Sequence, residues 1–265
     1  MAKKKKSKKL ETVTLSVINL KRLVIFLKKF GVVDPSVMLE ISEDHMIAKS
    51  FKDDHSVVKL GSEDFADIFE LPDGQKLPED LKIGIYGVEG VAKMIAFLNN
   101  EEVTMVTSYQ EAPDKDGDRF STSQKFKTSS TTLTIPGAEK KNFGKMTSDE
   151  VEAVFDTEDS SAELSFDSAM LEKITKLTEN ETKKSIKFVA EGEEVRIETE
   201  NFKTIHTGEN AVREDITVVI SRENFKYLDK ETYIAYLTDN AIIFISQTSG
   251  SKICIAALES VGEDE

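Results

Sequence analysis

Leu81–Ser108 reads LKIGIYGVEGVAKMIAFLNNEEVTMVTS. Leu81, Ile83 and Ile85 alternate with Lys82, Gly84 and Tyr86, which predicts a strand over Leu81–Tyr86 with one face buried. From Val88 to about Asn99 the apolar period lengthens. Val91, Met94, Ile95 and Leu98 fall on one side of a helix, with Lys93, Asn99 and Asn100 opposite. Glu102–Ser108 alternates again and predicts a second strand. Strand, helix and strand follow one another almost without connectors.

The same unit recurs on either side. Thr12–Ser16, a helix over about Val17–Phe30 and a strand Val37–Ser42 make the first copy. Ala162–Phe166, a helix from Asp167 to about Glu179 and Ser185–Ala190 make the third. Asp215–Ser221, a short helix near Arg222–Leu228 and Thr232–Leu237 make the fourth. Segments between them, such as Val195–Glu200 and Ile242–Gln247, read as antiparallel meander, with a tight turn at Thr238–Ala241. A strand pair near Arg119–Lys127 and Thr131–Ile135 closes the first half. Two units before residue 110 and two after 160 predict two pseudo-repeated domains. The expected organisation is a basic arm 1–10, a domain 11–136, a linker 137–161, a domain 162–260 and an acidic tail 261–265. The fold class is α+β.

The chain has 265 residues and a formal charge of −14, from 35 basic and 49 acidic residues. Six of the lysines lie in Met1–Leu10, so the remaining body is near −20. By itself such a charge argues against nucleic acid. Its distribution argues the other way. On the first helix Leu20, Leu23, Val24, Leu27 and Phe30 share the apolar face, and Lys21, Arg22, Lys28 and Lys29 lie opposite; no acidic residue interrupts them. Ile18 and Ile25 also fall in that charged arc, without an explanation in the sequence. The third helix buries Met170, Leu171, Ile174 and Leu177, and turns Lys173, Lys176 and Lys183 outward beside Glu172 and Glu179. In the fourth, Phe225 and Leu228 face inward and Arg222 and Lys226 form an i, i+4 pair. Helices that line one surface would give DNA a positive lining, because a screening length of about 8 Å hides carboxylates farther off.

Ile83–Ser108 resembles the strand–helix–strand of the DNA sliding clamps of T-even-like bacteriophages, and Asn224–Ser260 is similar to their closing meander. Thr131–Ala138 (TTLTIPGA) sits where their first domain ends. The lysine-rich arm and the longer inter-domain segment depart from the pattern. The resemblance implies a clamp fold similar in architecture to proliferating cell nuclear antigen, with antiparallel sheets outside and two helices per domain inside. It implies a closed homotrimer on duplex DNA, loaded by an ATP-driven clamp loader, that tethers the replicative DNA polymerase. Matching the helices gives Lys21, Arg22, Lys28, Lys29, Lys93, Lys173, Lys176, Lys183, Arg222 and Lys226 as DNA-facing residues. A partner's apolar segment is expected at Val151, Val154 and Phe155 in the linker and at Leu258 and Val261.

No chemistry competes with this reading. The glycines of Gly84–Gly90 are spaced by threes, unlike either phosphate-binding loop. Asp114–Asp118 (DKDGD) has its glycine at position 4, and position 12 of a calcium loop would be Lys125. His45 and His55 have no Cys or His pair to complete a zinc site, and Cys254 in SKICIAAL reads as a buried thiol. The sequence therefore predicts neither an enzyme nor a metal or cofactor. A single cysteine fits a reducing compartment. With no secretion signal and no apolar run of membrane length, the expected location is cytoplasmic, that of the host if the chain is viral. The competing expectation is an acidic DNA mimic or interaction module without a ring.

Overall fold

The computed structural model describes residues 9–98, 101–111, 117–139, 143 and 148–258. Most of the basic arm, Asn99, Asn100, most of the DKDGD turn and Val261 lie outside them. The chain divides into two compact units, one of residues 1–50 and 62–145, the other of 51–61 and 146–265.

The first unit holds β1 (Leu10–Val17), α1 (Leu20–Gly31), β2 (Ser36–Ile41), β3 (His45–Phe51), the later residues of β4 (Val57–Asp64), a 3-10 turn Phe65–Asp67, β5 (Phe69–Glu70), β6 (Leu81–Tyr86), α2 (Val88–Ala96), β7 (Val103–Gln110), β8 (Arg119–Lys127) and β9 (Thr132–Pro136). Antiparallel pairing runs β5-β1-β7-β8-β9 and β3-β2-β6. A short parallel contact of Leu81 and Lys82 with Arg119 and Phe120 joins the two sets. Alternation fixes the register: Val13, Leu15 and Val17 of β1 and Val103, Met105 and Thr107 of β7 point into the core. Asn19 caps α1, its side chain accepting a 3.0 Å bond from the Arg22 amide. Gly87 opens α2 with φ 64°, a conformation that favours glycine. α1 packs against α2, and at their meeting a Cβ on Gly31 would intrude on buried Val88.

The second unit repeats this order. It contains the first residues of β4, then α3 (Ser148–Val154), β10 (Ala162–Phe166), α4 (Ser168–Leu177), β11 (Ser185–Glu191), β12 (Glu194–Glu198), β13 (Lys203–Ile205), β14 (Asn210–Val212), β15 (Ile216–Ser221), a 3-10 helix Arg222–Tyr227, β16 (Tyr233–Thr238), β17 (Ala241–Ser246) and β18 (Lys252–Ala256). Pairing runs β14-β10-β16-β17-β18, matching β5-β1-β7-β8-β9, and β13-β12-β11-β15, in which β12, β11 and β15 match β3, β2 and β6. Phe166, Phe188, Phe225, Phe244 and Tyr233 fill its core, with ring centroids 5.5 to 6.4 Å apart. Asp167 caps α4 through a 2.7 Å bond from the Met170 amide. β4, which follows β3 as β13 follows β12, differs from that counterpart in its pairing: its Val57–Leu60 pairs with β18.

Three expectations need correction. The fourth helix is a 3-10 helix, so Arg222 and Lys226 do not share an α-helical face. The expected linker contains α3. Met94 and Leu177, expected in the core, are 44% and 46% exposed. The buried stripe of α2 is Val88, Val91, Ala92, Ile95 and Leu98, and Met94 lies at its margin.

Candidate nucleic-acid interface

The cations of the first unit project from the side of α1 turned away from its buried Leu20, Leu23, Val24, Phe26, Leu27 and Phe30. Lys21 and Lys28 are exposed, and Lys29 is half-buried. Lys21 makes no ion pair among the described residues. Arg22 behaves differently. Its guanidinium bridges Glu63 at 2.6 Å and Asp67 at 2.7 Å. The bond to Glu63 first, and the nearby carboxylates after it, hold its pKa above the ordinary arginine value. The helix has no acid of its own, but the chain delivers two from the segment around β4. On α2, Lys93 pairs with Glu89 one turn earlier at 2.6 Å, and Glu89 also feels Lys28, both lowering its pKa.

In the second unit Lys173, Lys176 and Lys183 are exposed. Lys173 sits 5.3 Å over the Phe202 ring and Lys176 pairs with Glu172 at 2.8 Å. Lys183 donates its backbone amide to Glu200 at 2.9 Å, and that bond, with its charge, helps to lower the Glu200 pKa. Arg222 is structural: its guanidinium donates to the carbonyls of Thr178 and Glu181, closing the C-terminal end of α4. Lys226 is exposed, 4.9 Å over the Tyr227 ring. Exposed pairs such as Lys93–Glu89 and Lys176–Glu172 are weak and dissolve readily in favour of another anion. Arg222, with its donors turned to backbone, does not.

The ten expected residues thus fall into two sets, α1 with α2 in the first unit and α4 with the 3-10 helix in the second, except that Lys183 lies beyond α4 in the connector to β11. Sequence reasoning missed the partners of Arg22 and Arg222. Glu63 lies 41 residues from Arg22, and nothing in local spacing signals the pairing.

Of the apolar positions expected to receive a partner, two are packed inside the second unit. Val151 and Phe155 of the α3 segment are buried with Phe51, Val58, Ala241, Ile243 and Cys254. Burial pushes the Cys254 thiol up to about 12. Val154 packs at the border of this cluster, and Leu258 is exposed.

No protein-family model and no curated protein matches the chain. Solved structures do. A putative DNA polymerase III beta subunit from Eubacterium rectale superposes with a TM-score of 0.64 at 13% identity, over 95% of this chain and 66% of that one. The DnaN sliding clamp of Pseudomonas aeruginosa gives 0.66 at 11%, again over 95% and 66%. The Helicobacter pylori beta clamp gives 0.64 at 12%, over 96% and 65%. The chain therefore has the sliding-clamp fold, and it spans about two thirds of the length of the clamps it matches.

Proposed function

We propose that the chain is a sliding clamp: a ring that encloses duplex DNA without reading its sequence and tethers a replicative polymerase. The clamp fold over 95% of the chain carries this reading, and the cations on the outer faces of α1 and α4 support it. A closed ring holds DNA by topology, so its phosphate contacts can be weak and numerous, and weak contacts permit sliding. Exposed lysines such as Lys21, Lys28, Lys183 and Lys226 suit that task. The clamp itself needs no catalytic group, and opening the ring is work for an ATP-driven loader. Val154 and Leu258 are the expected partner positions with surface left to offer a polymerase.

The proposed assembly is a homotrimer, as in the phage-type clamps the sequence resembles. The repeat itself supports self-association. β18 is flanked by β17 and by Val57–Leu60 of β4. Among the described residues its counterpart β9 pairs only with β8, and β13, the counterpart of β4, pairs only with β12. Open edges of this kind invite a strand from another chain. Repeating the β18–β4 pairing as β9 to β13 between copies would cover both.

Native mass spectrometry tests the assembly: three chains of 29.6 kDa give a particle of about 89 kDa. Loaded protein should stay on closed circular DNA at a salt concentration that strips it from a linear duplex. Lys21→Glu with Lys28→Glu should cut that retention several-fold with the fold intact. A monomer that ignores DNA and instead binds basic proteins would overturn the reading in favour of an acidic mimic.

A further inference from the structure

Arg22 shares the solvent side of α1 with Lys21 and Lys28, yet two carboxylates already occupy its guanidinium. Nε and Nη2 both donate to Glu63, at 2.6 Å each, and Nη1 donates to Asp67 at 2.7 Å. Two anions on one cation leave that spot negative, on a helix face whose other charges are positive.

The segment that carries these acids is firmly placed. Phe65, Ile68 and Phe69 bury it in the core of the first unit. The Ile18 amide donates to the Ile68 carbonyl at 2.9 Å and so fixes the segment against the start of α1. Arg22 is fixed as well, its own amide held by the Asn19 cap. The Glu63 side chain is only 17% exposed. Salt therefore screens its pairing less than it screens the exposed pairs of Lys93 and Lys176.

We propose that Glu63 and Asp67 limit the grip of α1 on DNA by keeping Arg22 from phosphate. The proposal rests on the ring reading and adds to it the residues that set how tightly the ring holds its duplex. A guanidinium can take a phosphate in two parallel hydrogen bonds, which fix geometry as well as charge. A ring that slides must avoid such a bond, whereas an ammonium on a flexible stem passes from one phosphate to the next. Here the forked edge of Nε and Nη2 is turned to Glu63. A phosphate would have to displace a carboxylate that is already in place, with little ordering left to lose. Asp67 adds a second anion that repels it.

The test uses the full chain and a short blunt duplex, which a ring can thread from its end. Affinity is read by fluorescence anisotropy over a range of salt. Glu63→Gln with Asp67→Asn keeps both side-chain shapes and should leave urea unfolding close to that of the wild type. The control, Glu43→Gln with Asp44→Asn, removes the same charge from exposed acids that make no ion pair with Arg22 among the described residues. The Glu63 and Asp67 pair of substitutions should tighten binding several-fold beyond the control. Its salt dependence should steepen by about 0.9 for each Arg22 that gains a phosphate, and that of the control should not. Arg22→Gln added to the double variant should abolish the gain and should cost more affinity there than in the wild type. Should the double variant fold poorly, Asp67→Asn alone, at the more exposed acid, should give part of the gain. If the wild type assembles and binds duplex, but the acid substitutions do no more than the control, the limiting role is wrong and the ring stands. If the wild type neither assembles nor binds duplex, the ring reading fails, and this role with it.

Discussion

Lys59 has its whole side chain out of solvent, its ammonium 2.9 Å from Asp229 and 3.1 Å from the Tyr227 carbonyl. The pair ties β4 to the loop after the 3-10 helix. Removing one partner of a buried pair leaves the other charge uncompensated, so Lys59→Ala should lower stability by about 3 to 5 kcal/mol in urea titration. Adding Asp229→Asn should return part of the loss. His206 is a second residue whose burial has a readable consequence. Burial lowers its pKa, outweighing the Glu209 backbone and the Asp167 charge, and neither ring nitrogen has a hydrogen-bond partner among the described residues. The unfolded imidazole titrates near 6.5 and the folded one below that. The unfolded chain therefore binds the extra proton first, and stability falls as pH drops below about 6.5 until the folded ring is protonated too. Unfolding free energies at pH 7 and pH 5 should show this fall, and His206→Asn should flatten it. The sequence announced neither residue. A lysine and a histidine in alternating segments read as solvent-facing until the strand that covers them is known.

Elements were legible in proportion to their periodicity. β1, β6, β7, β10 and β16 alternate cleanly, and each lies within a residue or two of its expected span. α1 and α4 were legible from their apolar stripes, but α1 begins at Leu20 and not at Val17, because the Asn19 side chain caps it. α3 was not: SDEVEAV is seven residues of mostly polar sequence, and its helix is held by packing of Val151 and the following Phe155 against the sheet. The 3-10 helix was read as α because Arg222–Leu228 is too short for the two periods to diverge. At this scale the junction of α1 and α2 is the place to probe. Gly31→Ala improves helix propensity, yet its Cβ meets Val88, a stiff and fully buried side chain. The net effect should be a loss of about 1 to 3 kcal/mol. In a double-mutant cycle, Val88→Ala should cost less in the Gly31→Ala background than alone.

For the whole molecule, a charge of −14 is compatible with DNA binding only if a few cations act locally, and the structure narrows which can. Arg22 already serves two carboxylates and Arg222 serves two carbonyls, so the lysines remain for phosphate. The exposure of Lys21, Lys28, Lys173 and Lys176 was legible in the sequence from the helical faces that carry them. The pairing of Arg22 was not, because acids distant in the chain supply it. The repeat, visible as four strand–helix–strand units, fixed the pairing order of both halves. The exchange of Val57–Leu60 into the second unit left no trace in it. That exchange also shapes how the protein can be made. On the ribosome, Val57–Leu60 emerges almost two hundred residues before its partner β18, so the early segment must wait through most of translation with one flank unsatisfied. A first half made alone would carry Val57–Leu60 without β18, and a second half made alone would carry β18 without that strand.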